Sequence, residues 1–568
     1  MAGFPPVSRF DRAWALERLA EDRFDVLVIG GGIAGAGVAL DAASRGLKTA
    51  LVDKSDFGSG TSSKSSKLVH GGLRYLQQGE LGLVHESLAE RRLLLENAPH
   101  LVSRLPFIVP VFGRERAFSR PSARSVSTGL WMYDLMGGWR IGSRHRRVDA
   151  PEVLAHLPTV RRTALAGGFS YLDAHTDDAR LTLALLRTAV LDHGAVAANY
   201  AGVTGLVAGR DGRLTGARIS PAVRPGNAGS LGDAAVGPDF DVSARVVVNA
   251  TGVWADEVRA LADGGESRSL RPAKGVHVTV PRHRLPCDVA AVLPVRGDRR
   301  TIFVVPWPDA DLTYVGTTDT EYEGALDDPT CTPGDLAYLL GAVNSSTTAS
   351  LGPEDVTAVW AGLRPLLATT RGRRPSARTA DLSRRHSVRT SPEGLVTVTG
   401  GKLTTYRRMA EDTVRRALEG LGDDGRRADA SRTAHLRLRG APRRGDDETD
   451  RLDRRYGTEA GEVRAIVAAA PELAGQLVVG LPYTKAEVVY AVRQEMAQSV
   501  DDVLARRTRA VLEDARAAIE AAPGVAATMA AETGWGAEQA VGQADRFRAA
   551  VRADLEAAGL RAADTARR

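Results

Sequence analysis

The chain has 568 residues, a formal net charge of +6, 43% hydrophobic and 25% charged residues. That length exceeds one simple core and predicts two or three domains, while two cysteines, Cys287 and Cys331, exclude a disulfide framework or a cysteine-rich metal site and fit a reducing compartment. So modest a charge gives no argument for nucleic acid and suits an anionic substrate, an anionic membrane surface or simply an arginine-rich exterior; no apolar run is long enough to span a bilayer and no signal-like segment opens the chain.

Residues 1–23 read as an extension carrying a short amphipathic helix, with Trp14, Leu16 and Leu19 packed on the body. Val26 to Ile29 is a short apolar run that predicts a buried parallel strand. Gly30, Gly32 and Gly35 follow on the spacing of a dinucleotide fingerprint, and a small-residue helix runs from there to Gly46. Lys48 to Val52 forms the next strand, closed by Asp53 at the spacing of a ribose-binding carboxylate. Gly30 permits the tight turn, Gly32 lets the backbone approach a pyrophosphate, and Gly35 lets helix and strand touch. The helix N-terminus offers N–H groups and partial positive charge to phosphates.

The stretch from Ser55 to Tyr75 is dense in Ser, Thr and Gly and has little to build a core until Leu68. Lying between a nucleotide unit and a helix over roughly Val84 to Glu96, it reads as a donor-rich binding loop rather than a linker. From Arg104 to Leu157 the sequence is mixed and arginine-rich, with Trp131, Tyr133 and Trp139, and reads as an excursion resembling a lid. Asp177 caps a further helix, a short strand follows near Val196 to Tyr200, and Pro221 to Pro238 reads as a long surface hairpin loop. Arg245 to Gly252 is a buried strand ending in Ala-Thr-Gly, where Gly252 suggests close approach to a ligand. Val276–Val280, Ile302–Trp307 and Leu312–Gly316 predict an antiparallel sheet. Gly394 to Tyr406 returns to strand, glycines and helix, so a second helix N-terminus points at a site. The remainder reads as a charged linker followed by a separate helical domain.

These pieces together resemble the FAD-dependent, respiratory-type glycerol-3-phosphate dehydrogenases from Phe24 to about Arg509. The matching pieces are Val28-Ile-Gly-Gly-Gly-Ile-Ala-Gly-Ala-Gly37, Gly60-Thr-Ser-Ser-Lys-Ser-Ser-Lys-Leu-Val-His-Gly-Gly-Leu-Arg-Tyr-Leu76, Val248-Asn-Ala-Thr-Gly252, Lys274-Gly-Val-His277, Gly316-Thr-Thr-Asp-Thr-Glu-Tyr322, Gly362-Leu-Arg-Pro-Leu366, Gly400-Gly-Lys-Leu-Thr-Thr-Tyr-Arg407 and Asp502-Val-Leu-Ala-Arg-Arg-Thr-Arg509. The glycine fingerprint is shared by many flavoproteins, whereas the serine-rich run ending at Tyr75 and the Gly400–Arg407 block are much narrower signals. The resemblance implies an α/β fold of the D-amino-acid-oxidase-like class: a Rossmann-type FAD-binding domain (24–103, 165–270 and 361–418), an antiparallel substrate-binding or cap domain (104–164 and 271–360), a linker (419–450) and a C-terminal helical domain (451–568). It also implies oxidation of sn-glycerol 3-phosphate to dihydroxyacetone phosphate on noncovalent FAD, a quinone acceptor, and peripheral attachment to the cytoplasmic face of the membrane, often as a dimer.

Residue by residue, the resemblance places FAD against Gly30, Gly32, Gly35, Asp53, Thr61, Ser62, Ser63, Ser66, Lys67, Leu68, Gly252, Asp319, Gly401, Lys402, Leu403 and Thr404. It places substrate against Arg74, Tyr75, Arg364 and Arg384, the last within Ser383-Arg-Arg-His386, where the alignment can slip by one. Arginine suits a phosphate dianion because its planar fork donates two parallel hydrogen bonds. Lys402 could pair with phosphate or with charge near the flavin, while N–H groups around Leu403 and Thr404 would stabilise the reduced ring. His277 is the leading general base, with a structural histidine pointing across the sheet as the alternative. His70 lines the flavin in this reading and is the one candidate for a covalent tether, since neither cysteine lies in a flavin-side motif. No metal site is expected. Glycerol-3-phosphate oxidase, an amine or amino-acid oxidase, and a flavin-binding protein without turnover are the rival readings.

Overall fold

The computed structural model describes residues 9–72, 80–113, 120–163, 165–221, 237–265, 269–297, 300–368, 385–443 and 450–561. Two sheets carry the architecture. In the first, parallel strands Thr49–Val52, Arg23–Ile29, Phe240–Asn249 and Val396–Thr399 lie side by side, with Val196–Ala198 at one edge and an antiparallel Ser387–Thr390 at the other. Val26, Leu27, Val28, Val247 and Val248 are buried, as expected for strands covered on both faces. Helices Ile33–Ser44 and Tyr406–Gly420 pack on one another beside this sheet, with Gly37 receiving the Tyr406 ring. The N-terminal helix Arg12–Glu21 buries Ala15 and Leu19 against the sheet, as its pattern predicts.

The second sheet is largely antiparallel. Its strands run in the order Thr320–Glu321, Leu270–Pro281, Leu312–Gly316, Thr301–Pro306, Ala290–Pro294, Val102–Phe112, Leu165–Thr176 and Leu68–Val69, with Ala358–Leu367 on the other edge of Leu270–Pro281. Here the structure corrects the reading of Arg104–Leu157 as a lid. Val102–Phe112 is an interior strand, pairing with Leu165–Thr176 along its length and with Ala290–Ala291 in parallel. Exposed Ser103 and Arg104, and prolines at 106 and 110, broke the alternation that marks a strand. Segments 165–176 and 361–367, placed in the FAD-binding unit by sequence, likewise pair within this second sheet.

One further expectation changes. The stretch before residue 444 is a packed strap: Leu421 and Leu438 enter the first unit's core, and Ser431 and Thr433 hydrogen-bond Asp41. The C-terminal helices form the expected helical domain, and its core is continuous with that of the second sheet; Val503, Leu504, Ile519, Val525 and Phe547 belong to the cluster that holds Val276 and Val304. The helix predicted near Val84–Glu96 runs Leu81–Asn97, and the surface loop predicted at 221–238 falls almost wholly outside the described residues. No helix among the described residues is long and apolar enough to cross a membrane.

Candidate functional site

The site grows from the glycine turn. Gly30 has φ +105°, and a Cβ there would stand 2.7 Å from the Ala250 carbonyl oxygen. At Gly35 a Cβ would meet the Gly30 carbonyl at 1.8 Å, so helix and strand touch backbone to backbone. Asp53 Oδ2 accepts from the Gly31 N–H at 2.6 Å and Oδ1 from the Ser55 N–H at 2.8 Å. Burial raises its pKa to about 6, against the pull of those two N–H groups. Gly30, Gly32 and Asp53 line a cavity of about 810 Å³, which also takes in Trp254 and Gly252. That is the size class of a large cofactor site. The Trp254 indole N–H is buried without a hydrogen-bond partner among the described residues, and Lys54 Nζ lies 4.4 Å from its ring centre. A buried donor, a backbone cradle and a carboxylate at the strand end fit an adenine dinucleotide.

The serine-rich loop forms the next wall. Ser62 Oγ accepts from Ile33 N–H at 2.8 Å, capping the first turn of the glycine helix, and Thr61 Oγ1 donates to Leu363 O at 2.6 Å. Gly362 is glycine because the loop presses on it; a Cβ would lie 2.5 Å from Lys64 O. Thr61, Ser62 and Ser63 line the cavity, while Ser66, Lys67 and Leu68 do not. The chain turns at Lys67 (φ 57°) and enters the second sheet, burying Leu68. Lys67 Nζ sits 3.5 Å from Asp178 and over the Trp360 ring; burial first, then Arg509, pushes its pKa down to about 8 against the pull of Asp178.

At the far end Gly401, Lys402 and Leu403 complete the wall. Gly401 has φ +80° and packs on Met409 Sδ; Lys402 begins the Leu403–Thr405 turn, its Nζ 3.3 Å from Ser87 Oγ. Thr404 is buried and accepts from the His70 N–H at 3.2 Å, tying this turn to the His70 loop. That loop is pinned from below, where Asp173 accepts from Gly71 N–H, from Tyr133 OH and from Arg91.

His277 and Arg364 stand on neighbouring antiparallel strands. The His277 ring stacks on Trp360 at 4.8 Å and 6°, over Gly316, where a Cβ would meet it at 2.0 Å. Its Nε2 lies 2.8 Å from Ser66 Oγ, and its buried Nδ1 has no hydrogen-bond partner among the described residues. Burial, with Lys67 and Arg364 nearby, holds its pKa well below 6.5, so the ring is neutral. His277 does not itself line the cavity; Trp360 does. Arg364 donates to Thr317 Oγ1 and Thr318 O at 3.1 Å and lies 3.5 Å from Asp319; neither Arg364 nor Asp319 lines the cavity. Arg74, Tyr75 and Arg384 lie outside the described residues.

Sequence reading missed the contribution of the C-terminal helices. Arg506 from a π-helical turn, with Gln543, Phe547 and Val551 from the Ala537–Ala557 helix, lines the same cavity. The spacing of 543, 547 and 551 marks one helical face, a signal present in the sequence and masked by its uniform Ala/Arg/Glu composition. Trp254 and Trp360 were visible as residues but not as walls.

A glycine-turn dinucleotide cradle facing a largely antiparallel sheet across one cavity defines an FAD-dependent oxidoreductase. Residues 25–407 match the FAD dependent oxidoreductase family, and residues 412–540 match the C-terminal domain of alpha-glycerophosphate oxidase. The chain is 39% identical to the glycerol-3-phosphate dehydrogenase of Mycobacterium leprae over 96% of its own length and 91% of that protein. It is 36% identical to the human mitochondrial glycerol-3-phosphate dehydrogenase over 93% of its length and 73% of that protein. The crystal structure of the Bacillus halodurans glycerol-3-phosphate dehydrogenase complexed with FAD superposes with a TM-score of 0.74 at 30% identity, covering 96% of this chain and 98% of that one. The chain belongs to the family of FAD-dependent glycerol-3-phosphate dehydrogenases.

Proposed function

We propose that the protein oxidises sn-glycerol 3-phosphate to dihydroxyacetone phosphate and passes the electrons to a quinone while attached peripherally to the cytoplasmic face of a membrane. One observation carries the reading: a single cavity joins the Gly30–Gly32 turn to Lys402, on a chain whose relatives bear this dehydrogenase name. Bound FAD supplies the hydride acceptor. The chain's residues supply the rest. Gly30, Gly32, Asp53, Thr61, Ser62, Ser63, Gly252 and Leu403 would hold the cofactor along the wall. Arg364 would clamp the phosphate by bidentate hydrogen bonds, joined by Arg74, Tyr75 and Arg384. As the C2–H bond gives up its hydride, the hydroxyl must lose a proton; neutral His277 is the proposed acceptor, supported by a ring nitrogen, Nδ1, that has no hydrogen-bond partner among the described residues. Lys402 and the N–H groups of its turn would stabilise the negative charge that the transfer creates. Trp360 stands between His277 and the cavity, so the base and the clamp require separate tests. A homodimer belongs to the same reading, and sedimentation velocity tests it.

The match of residues 412–540 to an oxidase's C-terminal domain favours a second reading, with dioxygen as acceptor and hydrogen peroxide as product. One experiment addresses both. Yellow holoenzyme mixed anaerobically with sn-glycerol 3-phosphate should bleach in the visible, then recover its colour with a quinone and only slowly with air. Fast recovery in air with stoichiometric peroxide would establish the oxidase, and absence of bleaching would overturn the substrate.

A further inference from the structure

Eight large hydrophobic side chains are exposed among the described residues, and four of them fall within nine positions: Trp131, Met132, Leu135 and Trp139. Trp131 and Leu135 are one helical turn apart on the Arg120–Leu135 helix, and Trp139 follows in the next turn of chain. Leu135 is 80% exposed and the two tryptophans about half exposed. The opposite face of the same helix buries Leu130 and Tyr133, and Tyr133 donates to Asp173 beneath the His70–Gly71 loop. Exposed large apolar side chains grouped this closely on a water-facing helix and the turn after it mark an interaction site.

Its rim is basic. His145 packs edge-on against Trp131 at 5.1 Å and lies 2.7 Å from Asp134 through Nδ1, which folds the following segment back beside the helix. Arg140 and Arg144 are thereby exposed at the margin. The acids of this neighbourhood are engaged: Asp134 with His145, Asp149 capping the next helix, and Glu152 with Arg146. Tryptophan is the residue that partitions best into the headgroup layer, and a basic margin attracts anionic lipid. A second copy of the chain fits poorly, because a two-fold interface would set the arginine rim against itself.

We infer that the face formed by Trp131, Met132, Leu135 and Trp139, with Arg140 and Arg144 at its margin, is where the protein docks on an anionic lipid surface. The inference rests on the proposed membrane attachment and names the surface that makes it. The test floats the FAD-loaded protein with vesicles of phosphatidylcholine alone and of phosphatidylcholine with one-third phosphatidylglycerol. Wild type should float with the anionic vesicles and not the neutral ones. Trp131→Ser with Leu135→Ser should weaken that binding by about ten-fold or more, as should Arg140→Glu with Arg144→Glu. Both variants should keep their FAD, thermal midpoint and anaerobic bleaching, which separates lost docking from lost folding. In wild type, brominated lipid should quench tryptophan emission, and Trp131→Phe with Trp139→Phe should abolish that quenching. Wild type that floats with neither vesicle would overturn the attachment itself. Wild type that floats while the variants float equally well would overturn this surface alone, and a dimer that the serine variant dissociates would reassign the face to a second copy.

Discussion

Asp53, half-buried at the cavity wall, and Asp56, fully buried, lie three residues apart on one loop, and their acidities move in opposite directions. Among the described residues Asp53 accepts hydrogen bonds from backbone N–H groups alone, and burial raises its pKa to about 6. Burial works on Asp56 as well, but Arg507 and Arg506 outweigh it and hold the carboxyl well below its ordinary range. Those arginines arrive from the C-terminal π-helical turn at 2.5–2.9 Å, some 450 residues away in sequence. Burial thus raises a carboxyl until a partner reverses it, and the partner decides the role. Asp56 is committed to the seam between domains. Asp53 keeps acceptor capacity for a ligand at the cavity wall.

Breaking the seam should give the largest effect. Asp56→Ala removes the carboxylate that two buried guanidinium groups share, leaving Arg506 with Asp501 and Asp502 and Arg507 with Glu495, and should destabilise the fold by up to about 3–5 kcal/mol, read from urea unfolding of the holoenzyme. A loss below about 1 kcal/mol would mean the seam carries little of the stability. Arg364 offers the contrasting arginine, with its side chain 20% exposed where Arg507's is 2% exposed. Arg364→Ala should leave FAD content intact and lower kcat/KM for sn-glycerol 3-phosphate about 10²–10³-fold, roughly 3–4 kcal/mol; unchanged kinetics would remove it from the clamp. Asp53→Asn should spare stability yet weaken FAD about 10-fold to 100-fold, measured by flavin release on dilution. The smallest effect is titration of that carboxylate. FAD favours its ionised form, so affinity should be constant above pH 6 and fall by up to about tenfold per unit below it. A flat profile down to pH 5 would mean that Asp53 is not the ribose acceptor. His277, held neutral, should by contrast impose no loss of flavin-reduction rate at saturating substrate as pH falls through 6.5; a loss with that midpoint would show an imidazole in contact with water.

Much of this was legible because it is local. The Gly30–Gly35 turn, the Asp53 strand end and the Gly401–Leu403 turn depend on dihedral angles and short-range contacts, and each falls where the pattern put it. Ser66, Lys67, Leu68 and Asp319, which the motifs assign to the cofactor, do not line the cavity, and neither do Gly35 and Thr404. Lys67 turns the chain away into the second sheet, and Asp319 pairs with Arg364. A motif fixes which residues travel together but not which of them face the ligand.

The sequence by itself determined the fold class, the dinucleotide cradle and the family, since strand periodicity, glycine spacing and helix starts are properties of neighbouring residues. Only the tertiary structure decided that Val102–Phe112 is a central strand, that the last helices share the second sheet's core, and that Trp360 screens His277 from the cavity. It also decided that Trp131 and Leu135 remain outside. Burial and ion pairing depend on which distant segment supplies the other half of each contact, and spacing along one chain carries no record of that distance.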